Sequence, residues 1–423
     1  LILQALRRLG IGLAIALITV LVSFHQLAAS EPVHLTLLLP ARGVVQWQGV
    51  VEDFERQNPD IKLDLIEGPN ATNLLEDLYT TSFLLGNSPY DLAYMDIVWV
   101  PKFAAAGWLL DLTNRVPANT LQAFMPGDLN GGRYQDRLYR LPVQSDGGML
   151  YYRQDLLAAS GLQPPDTVED LMAIARTLQG QGKVTWGYVW QGRQYEGLAA
   201  MFVEILQGFG GFWIDPQTLA VGLEDPEAIA AVKFLRSTIT EGISPPGVTT
   251  YQEEEGRRLF QSGAVAMMRN WPYAWSLVNG PESPVAGKVG IKPMVHAPGY
   301  RSGACQGGWG LGIVKTTRHP EEAWRAVQFF TSPAAQRRLV LENSFVPTRR
   351  DLFQAPELVK AYSFLPTLER VVDNAVLRPP IAQYAQASDI LQRYLSAAFT
   401  GRQSPEAAMA AAARETRFLL GGK

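Results

Sequence analysis

From residue 33 onward the chain alternates short apolar runs with longer amphipathic stretches. Residues 33–39 (VHLTLLL) read as a buried strand. Apolar positions recur at helical spacing over 44–58, and Asn58-Pro59 ends that helix. Residues 61–66 (IKLDLI) alternate as a strand does, 73–85 return to helical spacing, and 90–95 (YDLAYM) form a third strand. This order predicts a parallel sheet covered by helices. Ligands of such sheets bind beyond the carboxyl ends of the strands, and Asp96 stands directly after the third one.

The middle of the chain is richer in helix. Residues 167–178 form a helix opened by a Thr167-x-x-Asp170 cap, and 226–241 and 253–261 form two more. Residues 289–291 and 310–314 are expected to be strands returning to the first sheet. Helices over 320–330, 333–343, 381–399 and 405–420 follow. No repeat or low-complexity linker interrupts the pattern, which suits two lobes joined by several crossings.

Composition narrows the function. A chain of 423 residues has length enough for two large lobes. The formal net charge is -3 and no basic block exists, which argues against a nucleic-acid partner. A single cysteine, Cys305, permits no internal disulfide and no cysteine-rich zinc site, and the four histidines are dispersed. No G-x-S-x-G elbow is present. Aromatic rings are plentiful, with 10 Trp, 15 Tyr and 17 Phe. Most serve the core, but their flat apolar faces also match the C–H faces of pyranose rings.

The first thirty residues have the layout of a signal peptide. Arg7 and Arg8 precede an apolar run over 9–24, and Ala28 and Ser30 stand at the two specificity positions of a cleavage site after Ser30. The run is shorter than the roughly 20 residues of a spanning helix, although an uncleaved anchor is the other reading. No cysteine near the cut offers a lipid attachment point. The expected location is a periplasm.

Six segments, taken in order, carry a resemblance to a known family: YMDIVWV (94–100), LYRLPVQSDGGMLYYR (138–153), YVWQGRQYEGL (188–198), RNWPYAW (269–275), GGWGLG (307–312) and NAVLRPP (374–380). The chain resembles the family-1 extracellular solute-binding proteins of ABC sugar importers, in particular the trehalose/maltose-binding branch. The resemblance covers nearly the whole chain after the leader. It implies an α/β fold of type II with two lobes, each a mainly parallel sheet flanked by helices, with the ligand cleft between them. It implies about three crossings between lobes, at limits we set as 31–142 plus 295–335 for the first lobe and 143–294 plus 336–423 for the second. It also implies a sugar captured by hinge closure, delivery to membrane permease subunits driven by an ATPase, no cofactor, no enzymatic activity and a monomer.

The same resemblance nominates the ligand-binding residues. Asp96 and Asp146 would accept hydrogen bonds from sugar hydroxyls, charged bonds of about 1.5–3 kcal/mol each when dry; a helix N-cap and a turn aspartate are their structural alternatives. Trp271 and Tyr273, two apart across Pro272, would stack on the sugar, as would Trp309; core packing is the other reading of the first two rings, and a Gly-rich strand entry that of Trp309. Gly308 lets the backbone approach a ligand. Arg378 would donate its fork to two oxygens, or else bridge the lobes. Asn70 and Thr72 lie in a loop where the branch has a polar contact. Gln191, Arg193 and Glu196 belong to a matching segment without an assigned contact, and Trp275 is assigned to packing.

Two departures bear on specificity. The branch has an aromatic residue where this chain has Gln144, and a glutamate just before the tryptophan matching Trp47, where residues 43–46 are Gly-Val-Val-Gln. Loss of one ring and one acceptor points to a smaller glucoside, with glucosylglycerol and sucrose joining trehalose and maltose as candidates. Three further readings remain: a binding protein for a non-sugar solute such as a compatible solute or peptide, a secreted glycoside hydrolase using Asp96 and Asp146 as its carboxyl pair, and a receptor domain that uses the same cleft to signal without transport.

Overall fold

The computed structural model describes residues 31–373 and 375–421. The leader read from residues 1–30 lies outside the described residues. The chain opens with β1 (Val33–Pro40), α1 (Ala41–Gln57), β2 (Ile61–Gly68), α2 (Thr72–Leu84) and β3 (Leu92–Asp96). β1 pairs in parallel with β2 and with β3, as the alternation implied. α1 starts at Ala41 rather than at 44, directly after Pro40, so Arg42 and Gly43 stand in its first turn. It buries Trp47, Val50, Val51 and Phe54, one helical face, and Trp47 and Phe54 meet Phe330 at ring-centroid distances of 5.0 and 5.3 Å.

β4 (Leu141–Gly147) joins the first sheet and β5 (Met149–Arg153) begins the second. The chain therefore crosses between sheets at Gly148. A Cβ there would overlap the Glu204 carboxylate, which its buried ion pair with Arg269 holds in place, so the crossing favours glycine. The second sheet is completed by β6 (Trp186–Val189), β7 (Val265–Asn270) and β8 (Val289–Lys292). Between these strands lie α3 (Val168–Gly180), α4 (Glu196–Gly208), α5 (Pro226–Thr240) and α6 (Glu253–Gln261). The expected cap of α3 is present as a reciprocal Thr167–Asp170 capping box.

Residues 289–291 were expected in the first sheet; β8 instead pairs antiparallel with β5 in the second. A short apolar run signals a strand but not its partner. β5 also pairs antiparallel with β7, leaving β6–β7 as the parallel pair, so this sheet is more antiparallel than expected. The physical reason is the crossing: β5 enters its sheet directly from the end of β4, with one residue between, and so runs opposite to β7 and β8.

The chain returns through β9 (Cys305–Ile313), which pairs antiparallel with β3 and β4 and, at its first residues, parallel with β10 (Val376–Leu377). Between them, α7 (Pro320–Phe330) covers the first sheet and α8 (Pro333–Asn343) packs on α1. β4 and α8 thus straddle the limits 142/143 and 335/336 set for the lobes from sequence. α9 (Tyr384–Phe399) and α10 (Pro405–Leu419) pack on each other, and α9 also packs on α4 and α5, beside the second sheet. No helix among the described residues is long and apolar enough to cross a membrane.

Candidate functional site

The carboxyl ends of β3 and β7, the β4–β5 crossing and β9 converge on one cleft with a cavity of about 210 Å³. Asp96, Asp146, Trp271, Tyr273, Gly308, Trp309, Arg378, Gln144, Asn70 and Thr72, all nominated from sequence, line it together.

The cleft floor is ionic. Asp96 Oδ1 accepts from the Val98 amide at 3.1 Å, capping a short turn over Ile97–Trp99, and from Arg378 Nη2 at 2.9 Å. Arg378 Nη1 donates to Glu196 Oε1 at 2.5 Å, from the first turn of α4. Arg378 thus joins a carboxylate beside the first sheet to one beside the second, so the bridging alternative is realised at the cleft itself. Glu196 also accepts from the Tyr384 hydroxyl and, at 2.5 Å, from Ser388 Oγ. Burial pushes the Glu196 carboxyl up, while Arg378, Ser388 and Tyr384 pull against it.

On the wall built by the first sheet, Trp309 stacks on Tyr94 at 5.1 Å and 20° and meets the edge of Trp99 at 5.3 Å. The Tyr94 hydroxyl donates to Gln144 Oε1 at 3.3 Å, and Gln144 Nε2 donates to Asp146 Oδ2 at 3.1 Å. The residue standing where the branch has an aromatic therefore orients a carboxylate. Burial pushes the Asp146 carboxyl up to about 8; Arg42 opposes the shift, and the charges of Asp128 and Asp96 add to it. Gly308 has φ +124°, and a Cβ there would lie 2.7 Å from the Gln144 carbonyl oxygen, so neither backbone nor space admits another residue.

The opposite wall is aromatic and acidic. Trp271 follows β7, with the Arg269 guanidinium 3.9 Å from its ring centroid. Arg269 is itself fixed by the buried Glu204, its Nε donating at 2.8 Å. The cation covers one ring face and leaves the other for the cleft. Trp271 Nε1 donates to Glu253 at 3.3 Å, and the Tyr273 hydroxyl donates to Glu254 at 2.8 Å. Trp275, assigned to packing, lies 5.0 Å from Phe364.

Sequence reasoning missed several lining residues: Arg42, Tyr94, Tyr195, Glu253 and Glu254. A run of glutamates in the first turn of α6 reads from sequence only as helix-dipole chemistry. Of the segment left unassigned, Glu196 enters the floor, Gln191 Nε2 donates to the Arg269 carbonyl at 3.1 Å, and Arg193 binds Tyr251 through its backbone. Among the described residues, no group of three or more His, Cys, Asp or Glu could hold a metal.

Two α/β sheets with a ligand-sized cleft between them, crossed by the chain at Gly148, between β8 and β9, and after β10, define a two-lobed solute receptor. The comparisons agree: the chain belongs to the bacterial extracellular solute-binding protein family, whose sequence profile matches residues 41–337. A probable ABC transporter-binding protein of Deinococcus radiodurans is 32% identical over 353 residues, covering 82% of this chain and 83% of that protein. The maltotriose-binding protein of Pyrococcus abyssi is 24% identical over 79% of this chain and 70% of its own length. Among solved structures, maltose-bound T. maritima MalE3 superposes with a TM-score of 0.86 at 38% identity, over 92% of this chain and all of that one (100%). The chain is a substrate-binding protein of the ABC-transporter type and not an enzyme.

Proposed function

We propose that this chain captures a neutral α-linked disaccharide or small glucoside and presents it to the permease of an ABC importer. The reading rests on one observation: Trp271 and Tyr273 on one wall, Trp309 and Asp146 on the other, and Asp96 at the floor line a single cavity. Flat rings suit the C–H faces of a sugar, and carboxylates suit its hydroxyls. The cleft holds five acidic side chains (Asp96, Asp146, Glu196, Glu253, Glu254), of which burial keeps Asp146 protonated near neutral pH, against two guanidinium groups (Arg42, Arg378), which disfavours an anionic solute. The cavity is smaller than the roughly 300–1,000 Å³ of drug-sized sites, in keeping with one or two sugar rings. The maltose held by the MalE3 relative supports trying maltose first, ahead of trehalose, sucrose and glucosylglycerol.

We assign residues 31–147 and 305–377 to the first lobe and 148–292 with 378–421 to the second, with the lobes closing by hinge motion over the ligand. The protein works as a monomer in the periplasm on this reading. Calorimetric titration of residues 31–423 with the four sugars tests it. One-to-one binding of at least one, with Kd of about 10 μM or tighter, is expected. Silence across the panel overturns the sugar assignment, and glucose released from any of them on incubation overturns the binding-protein role.

A further inference from the structure

The cleft is graded in depth. Asp96 and Arg378 at its floor and Asp146 on its wall are buried, while Arg42 and Asn70 are exposed at its mouth. Arg42 stands in the first turn of α1, and its amide donates to Asn70 Oδ1 at 3.1 Å, which pins the root of the side chain. From there its guanidinium reaches the opposite wall, 5.6 Å from the centroid of the Tyr273 ring. That ring is braced from behind by Glu254 through its hydroxyl. The Arg42 guanidinium makes no hydrogen bond or ion pair among the described residues. The other guanidinium of the cleft, on Arg378, is already held by Asp96 and Glu196. Arg42 is thus tethered at its root, spans the mouth, and has its donors unspent.

We propose that Arg42 is a specificity-determining residue that bars the mouth of the cleft against Tyr273 and limits the saccharide to about two rings. A disaccharide lies wholly beneath the bar, and its outermost hydroxyls take up the free Arg42 donors. A third ring must project through the mouth, which displaces the guanidinium from Tyr273 and leaves those donors without the ligand. The contact being displaced is an exposed cation–π contact, a modest barrier that discriminates without preventing exchange.

The inference rests on the α-glucoside reading, and the test separates the two. Affinities of the wild type, Arg42→Ala and Arg42→Lys for maltose, maltotriose and maltotetraose are measured by calorimetry, with thermal melts as the folding control. The wild type is expected to favour maltose over maltotriose by about tenfold or more, and Arg42→Ala to bring that ratio to within about threefold. Arg42→Lys, which keeps the charge but not the planar fork, is expected to fall between. An unchanged ratio in a folded Arg42→Ala that still binds maltose overturns the inference alone. Failure of maltose, trehalose, sucrose and glucosylglycerol alike to bind the folded wild type overturns the reading on which it rests, whereas binding of one of these without any of the maltooligosaccharides overturns the inference alone.

Discussion

Replacing Arg378 by methionine keeps the bulk of the side chain and deletes the charge. Arg378 is 3% exposed and ties Asp96 at 2.9 Å to Glu196 at 2.5 Å, both of them buried. Removing one partner of such a network leaves uncompensated buried charge, a loss of about 3–5 kcal/mol. The lower end is expected, because Asp96 keeps the Val98 amide and Glu196 keeps Ser388 and Tyr384. The loss carries a sign in pH. Burial already holds the Glu196 carboxyl above its ordinary 4.5, against the opposing pull of Arg378, and deleting that pull raises it further. A carboxyl raised in the folded state contributes stability below its unfolded value and loses it as pH climbs. The deficit of Arg378→Met should therefore be largest near pH 8 and shrink toward pH 5, and adding Glu196→Gln should recover part of it at pH 8. Denaturant unfolding followed by tryptophan fluorescence at the two pH values reads this directly. A deficit under about 1 kcal/mol, or one indifferent to pH, would refute the argument that this bridge is a dry structural element.

Three other variants probe the walls. Trp271→Ala removes one ring face, about half of the 150–250 Å² such a ring buries; at roughly 25 cal/mol/Å² that is about 2–3 kcal/mol, and calorimetry should show sugar affinity falling by about 30- to 150-fold. Gly308→Ala sets a side chain at φ +124° and 2.7 Å from a carbonyl oxygen, so a loss of about 1–3 kcal/mol is expected in unfolding experiments, and wild-type stability would contradict the required close approach. Asp146, raised by burial to about 8 against an ordinary 3.8, contributes stability that drains away as pH rises between those values. Melting temperatures of Asp146→Asn should therefore gain on the wild type from pH 4 to pH 8, and parallel curves would show that Asp146 is not desolvated.

Periodicity alone made β1, α1, β2, α2 and β3 legible, because each carries its own burial pattern. The ten nominated residues were legible through the resemblance, whose ordered motifs come from separate stretches of chain that the fold brings to one cleft. Other features could not be read from sequence. The pairing of β8 depends on where the chain re-enters its sheet, which no local pattern records. Arg42 fell outside the expected start of α1, in a segment whose arginine and glycine resemble a loop. Glu253 and Glu254 matter through Trp271 and Tyr273, residues that only folding brings alongside them. Arg378 could be read as a sugar donor or as a bridge because one sequence position does not say which carboxylates it meets.

The first sheet also governs when this protein can fold. β3 ends at residue 96, and its antiparallel partner β9 begins at residue 305, so 209 positions separate the two edges (305 minus 96). At roughly 5–20 residues per second, a ribosome needs about 10–40 s to deliver the second edge after the first. For that interval β3 has an open flank, and pairing of such sequence-distant strands is intrinsically slow. The topology that brings Trp309 beside Asp96 therefore keeps the nascent chain open and threadable long after its first strands exist, the condition in which a polypeptide can still be passed through a narrow pore or seized by a chaperone.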